Sequence, residues 1–205
     1  MEESSVCWFC GGGLPPAAAF CPGCGHSQTN RESSPLFVVD STTGLFNAVF
    51  LQAIVDQETN RARRYRRPLA VVVLEIDEGE VVARELGPKL EPLLTGLAAL
   101  LNATVRDTDT VGLLTRHGSP RFAIVLPETE LDGAVQTSHK IRAAVAAHEF
   151  EDAGRWRRLT MSCGASALNW GRLGAPALLT QAVEVLQEGR AAGPDRTHAA
   201  VPTPT

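Results

Sequence analysis

Residues 69–76 read L-A-V-V-V-L-E-I directly after Pro68. That length and branched composition predict a fully buried strand, which other elements of the chain must cover. A second constraint lies at Arg116–Phe122, R-H-G-S-P-R-F, set between the apolar runs Val111–Leu114 and Ala123–Pro127. Two short apolar runs around a turn-rich heptad predict a β-hairpin. Helical patterning surrounds these strands. A long helix is expected from about Asn47 to Arg66, with Phe50, Leu51, Ile54, Val55 and Ala62 on one face, closed by Pro68. Shorter helices are expected at Glu80–Leu86, with Gly87 as cap, and at Lys89–Asn102, where Pro92 is tolerated in the first turn. Leu131–Ala147 and Pro176–Gly189 read as helices, and Leu159–Leu168 as a strand with Cys163 inside it. A lone thiol there serves as a small core hydrophobe.

Read from Leu69, the order is β-α-α-β-β-α-β. This is a ferredoxin-like plan of the mixed α/β class, with a central antiparallel sheet backed by helices. The chain has 205 residues, 44% hydrophobic and 20% charged, which suits one ordinary domain plus a small module. The net charge of −4 gives no global basic field for nucleic acid, which is not an expected partner. No apolar stretch reaches the length of a membrane span, and the M-E-E-S-S start is not a secretory signal, so membrane insertion is not expected.

The small module is set by Cys7-Trp8-Phe9-Cys10 and Cys21-Pro22-Gly23-Cys24. Each C-x2-C turn presents two sulfurs to one point, and four thiolates satisfy tetrahedral zinc. Residues 1–26 are therefore expected to form a zinc ribbon with a structural Zn2+ on Cys7, Cys10, Cys21 and Cys24. The alternative is free thiols or disulfides. So short a segment has too little apolar surface to fold unaided, so the metal must supply its stability. Thiolate–metal sites favour a reducing compartment, and the cytoplasm is the expected location. Residues 27–38 are polar and aperiodic, a linker. Residues 39–193 form the second domain, and 194–205 a flexible tail. Five arginines at positions 61, 63, 64, 66 and 67 close the long helix, where cations complement the helix dipole; nucleic-acid or anionic-lipid binding is the alternative.

The strings D-S-T-T-G-L-F-N, R-R-P-L-A-V-V-V-L-E-I-D, F-A-I-V-L-P-E-T and M-S-C-G-A-S, in this order and spacing, resemble the GGDEF domain family over about Val39–Gly193. Active members of that family make cyclic di-GMP from two GTP molecules. The resemblance implies a nucleotidyl-cyclase-like fold and a Mg2+ site built from the hairpin turn and the end of the buried strand.

Position by position the site is degenerate. Glu75 stands where the family's first metal-binding aspartate stands, and Asp77 keeps the second acidic position. The signature turn reads Gly118-Ser119-Pro120-Arg121-Phe122. Gly118 and Phe122 are retained, and Ser119 adds a side chain where the family has glycine. Pro120 replaces a metal-ligating acid with a residue lacking both oxygen and N–H. Arg121 reverses the charge of the next acid. The base-recognition positions carry Ala83-Arg84 and Glu91-Pro92 instead of the family's polar pairs. These departures imply no Mg2+, no catalytic residues and no enzyme activity. The expected function is a catalytically inactive signalling protein that docks a protein partner or senses a nucleotide. An active diguanylate cyclase with a divergent metal site is the first alternative. Nucleic-acid binding through the zinc ribbon is the second.

Arg106-Asp107-Thr108-Asp109 fits the R-x-x-D of the family's product-binding site, although eight residues rather than five separate Asp109 from Gly118. Arg106 and Asp109 are thus a possible cyclic di-GMP site, or else they merely solvate a connection. A homodimer is possible, since cyclases of the family work in pairs.

Overall fold

The computed structural model describes residues 14–16, 18–21, 28, 38–116, 118–152, 155–169 and 178–200. Of the four proposed zinc ligands only Cys21 is among them, so the zinc ribbon lies outside the described residues, as do most of the linker and the last five residues. The chain divides into two compact units, Met1–Val38 and Val39–Thr205. The second unit carries the main sheet and its covering helices.

Its elements are β1 (Phe46–Asn47), α1 (Ala48–Tyr65), β2 (Leu69–Ile76), α2 (Gly79–Leu86), α3 (Leu90–Thr104), β3 (Thr110–Thr115), β4 (Arg121–Pro127), α4 (Leu131–Ala147), β5 (Phe150–Asp152), β6 (Arg155–Arg157), β7 (Met161–Ala167), α5 (Leu178–Gly189) and β8 (Thr197–Ala199). The main sheet has the order β1-β3-β4-β2-β7-β8. Strand β2 pairs antiparallel with β4 on one side and β7 on the other, and all eight of its residues are buried.

Its alternation divides the core. Ala70, Val72, Leu74 and Ile76 pack into a cluster with Leu93, Leu94, Leu97 and Leu101 of α3 and with Ile141 and Val145 of α4. Leu69, Val71 and Val73 face the other way, into a cluster with Leu51, Val55 and Ala62 of α1 and with Ala182 and Leu186 of α5. A period-two strand thus carries helices on both faces. Gly164 of β7 permits the close approach of α5, because a Cβ there would lie 2.2 Å from the Ala182 carbonyl oxygen.

Local signals explain the helix ends. The Asn47 side chain accepts the Phe50 N–H at 2.9 Å, a standard N-cap. At the other end Arg66 takes a left-handed conformation (φ 51°), and Pro68 follows. The strand read at Leu159–Leu168 is Met161–Ala167, with Leu159 buried just before it.

One expectation is overturned. The segment after Gly193 is no loose tail through residue 200. Thr197–Ala199 form β8, parallel to β7, and flanking bonds run from the Cys163 N–H to the Arg196 carbonyl and from the Ala200 N–H to the Ala165 carbonyl. The sheet edge offered by β7 supplies partners that the local sequence does not advertise. The hairpin β5–β6 and the short strand β1 were likewise not expected.

Candidate functional site

The β3–β4 hairpin brings the signature turn beside the end of β2. Register places Arg121 directly opposite Glu75 on one side and Ser162 opposite it on the other. Glu75 belongs to the β2 face covered by α5, and its side chain is only 5% exposed. Arg121 Nε donates to Glu75 Oε2, and Arg190, from the turn that follows α5, pairs with Oε1. Each oxygen of the carboxylate therefore holds its own guanidinium. The Arg121 side chain is 23% exposed and that of Arg190 51%. Burial lowers the Arg121 pKa from its ordinary value.

Asp77 is equally engaged. Its Oδ1 accepts from Ser162 Oγ at 2.6 Å, and its Oδ2 accepts from the Asp195 N–H at 2.8 Å. Asp195 is gripped in turn by Arg142 of α4, whose Nε donates to Asp195 Oδ1 at 2.9 Å and whose terminal nitrogen donates to the Asp195 carbonyl. Arg142 also reaches Thr197 Oγ1 at 3.3 Å. Residues 190–200 thus form a strap that supplies a partner to each acid.

Within the turn, Gly118 has φ +71°, and Ser119 and Pro120 are buried. Ser119 Oγ donates to the Ile76 carbonyl at 3.3 Å and sits where a Cβ on Gly79 would fall, 2.3 Å away. Phe122 is wholly buried. At the end of β3, Arg116 pairs with Asp40 and, at 3.5 Å, with Glu91. Burial would raise the Asp40 pKa, but the Thr43 N–H and hydroxyl together with the Arg116 guanidinium outweigh it and hold the carboxyl below its usual range.

Arg106 and Asp109 lie apart from these residues, in the connection from α3 to β3. The Arg106 N–H donates to Asp109 Oδ2 at 2.9 Å, closing a local turn. Asp109 Oδ1 is buried with no hydrogen-bond partner among the described residues. Arg106 lines a cleft of about 900 Å3. At the positions expected from the resemblance to face a base, Arg84 and Pro92 are exposed, and Glu91 is held by Arg116.

The structure therefore joins Glu75, Arg121, Ser119 and Asp77 at one end of the sheet and leaves Arg106 and Asp109 elsewhere. Sequence reasoning missed Arg190, Arg142, Ser162 and Asp195. Nothing local marks them, since each acquires its role from a strand or helix distant in the chain.

Comparison with known proteins agrees with this architecture. The family profile described as "Diguanylate cyclase, GGDEF domain" matches residues 37–196. The diguanylate cyclase DgcP of Pseudomonas aeruginosa is 29% identical over 176 residues, covering 85% of this chain and 25% of that protein. The response regulator PleD of Caulobacter vibrioides is 29% identical over 164 residues, covering 78% of this chain and 36% of PleD. The chain thus spans about a quarter to a third of the length of these two relatives. Among solved structures, the FimX GGDEF domain of Pseudomonas aeruginosa superposes with a TM-score of 0.72 at 20% identity, over 80% of this chain and 99% of that one. The same score is found for diguanylate cyclase SiaD of Pseudomonas aeruginosa, at 22% identity over 80% of this chain and 62% of SiaD. With its profile match over most of the sequence and this fold, the chain belongs to the GGDEF diguanylate cyclase family.

Proposed function

We propose that this protein is a signalling member of the family that does not make cyclic di-GMP and acts by binding. The observation that carries the reading is the double pairing of Glu75. A divalent cation at this site requires hard oxygen donors with free lone pairs. Here the carboxylate at the first metal position is occupied by Arg121 and Arg190, and Asp77 by Ser162 and the Asp195 N–H. Pro120 contributes no side-chain donor, and Arg121 brings positive charge. The residues present do not fit Mg2+. Incubating the purified full chain with GTP and Mg2+ or Mn2+ is expected to yield no cyclic di-GMP, and product formation at a cyclase-like rate overturns the reading.

The binding partner is proposed as a protein, a cyclic dinucleotide, or both. Solved relatives include a cyclase complexed with its activator and a GGDEF domain complexed with cyclic di-GMP. Support for a dinucleotide here comes from Arg106, which is exposed beside a cleft, and from the unpartnered Asp109 oxygen. Isothermal titration with cyclic di-GMP is expected to give heat that Arg106→Ala abolishes. A flat trace removes the receptor role and leaves protein docking. The N-terminal unit is proposed as a zinc ribbon on Cys7, Cys10, Cys21 and Cys24, by the chemistry of its donor set. Among the described residues no helix is long and apolar enough to cross a membrane. A cytoplasmic location and a homodimer complete the proposal.

A further inference from the structure

The helix dipole accounts for only part of the arginine cluster at the end of α1. Five of the chain's seventeen arginines fall within seven residues, 61 to 67. A helix end gains from cations only within its last turn, and that turn contains Arg63 and Arg64. Arg66 and Arg67 lie beyond the helix. Arg61 is paired with Glu58 and Arg67 with Glu128. Among the described residues Arg63, Arg64 and Arg66 form no salt bridge, and all three are exposed. Arg66 is also held at φ 51°, a conformation for which glycine is the usual residue.

In the middle of this cluster stands Tyr65, the only tyrosine in the chain, 59% exposed. The Arg64 guanidinium lies 5.5 Å from its ring centroid. Cations around a largely exposed aromatic ring match a phosphate backbone and a stacked base, and every base offers a face to stack. A lipid surface matches less well, because membrane-lying helices present an apolar face beside their cations. The apolar face of α1, Leu51, Val55 and Ala62, is spent inside the core.

We infer that Arg63, Arg64, Tyr65 and Arg66 form a docking surface for single-stranded nucleic acid. Such a surface is local, so the overall charge of −4 does not oppose it at short range. It is separate from the carboxylates; Tyr65 lines the same cleft as Arg106, whereas Arg63, Arg64 and Arg66 do not, and the surface does not depend on whether the chain makes cyclic di-GMP.

The test is fluorescence anisotropy of a labelled oligouridine of about twelve nucleotides with the full chain, titrated at several salt concentrations. Three guanidiniums on a single strand contribute a slope of about 2 in log K against log salt, at roughly 0.7 per phosphate. The triple variant R63A/R64A/R66A is expected to lose about that slope, and with it at least tenfold in affinity at about 0.1 M salt. Tyr65→Ala is expected to weaken binding about tenfold with the slope unchanged, and Tyr65→Phe to bind as the parent does. Arg106→Ala is expected to cost less affinity than the triple variant, since Arg106 shares a cleft with Tyr65 but not with Arg63, Arg64 or Arg66. All these side chains are exposed, so unchanged melting curves verify that each variant is folded. The inference is overturned if the parent gives no anisotropy change or if the triple variant binds as tightly as the parent. It is equally overturned if Arg106→Ala alone abolishes binding, or if only phosphatidylserine vesicles bind and the oligonucleotide does not.

Discussion

The Glu75 carboxylate is the residue on which the electrostatics of the sheet end turn. It is buried, and two guanidiniums from different elements converge on it. Truncating one member of a buried ionic cluster leaves the others desolvated and unpaired, which for a sealed pair costs roughly 3–5 kcal/mol. Arg190 is half exposed and recovers hydration, so Glu75→Ala is expected to lower unfolding stability by a smaller amount, about 2–3 kcal/mol by urea titration. A loss below about 0.5 kcal/mol, the ordinary scatter of surface substitutions, contradicts the paired arrangement. Asp40 makes a second prediction at this scale. Its folded pKa is depressed relative to an unfolded aspartate near 3.9, so its stabilisation is complete above about pH 4 and disappears as pH falls through the lower folded value. Asp40→Asn is expected to reduce stability at neutral pH and to flatten the acid limb of the stability curve below about pH 4. An acid limb as steep as the parent's means that other carboxylates carry it. Cys163 behaves oppositely: burial pushes its thiol up to about 12, so it stays un-ionised throughout the working range.

Between elements, the turn and α2 fit each other through Ser119. Ser119 fills the space that Gly79 leaves open at the start of α2, with its Oγ on the Ile76 carbonyl. Gly79→Ala is therefore expected to destabilise the domain by about 1–3 kcal/mol, the range for overpacking. The double variant G79A/S119G is expected to recover most of that loss, because the 2.3 Å approach is to the serine oxygen. Additive losses in the double-mutant cycle defeat this account. The same contrast between local and distant causes governs what the sequence revealed. Strand β2 and helix α4 were legible residue for residue, because an unbroken apolar run and a helical period are properties of contiguous segments. Strand β8 was not, because T-H-A carries no strand pattern and becomes one only by pairing with β7. At the site, Pro120 and Arg121 of the turn could be read directly, whereas Arg190 could not. Its pairing with Glu75 requires α5 to be laid across the sheet, which depends on Gly164 and the packing of Ala182 and Leu186.

At the scale of the whole chain, the two compact units are expected to owe their stability to different physics. The unit Val39–Thr205 has its own core on both faces of a six-stranded sheet and needs no metal to explain its folding. The unit Met1–Val38 is too short for a core of that kind, and its four C-x2-C cysteines are the donors proposed to supply its stability. Titrating the purified protein with a thiol-reactive mercurial in the presence of a zinc indicator is accordingly expected to release close to one zinc per chain, because one ion uses four thiolates. Removing the metal is expected to leave the main melting transition within about 2 °C of the loaded protein, since binding stabilises only the unit that binds. Protease cleavage should meanwhile increase within residues 1–38 alone. Cys21→Ser is expected to reproduce both results without any reagent. Absence of zinc from freshly purified protein, or a main transition that falls with zinc release, would show that metal and core are not separate sources of stability. The Cys163 thiol gives an internal control, because it is buried in β7 and un-ionised and should resist the mercurial until the main transition is crossed.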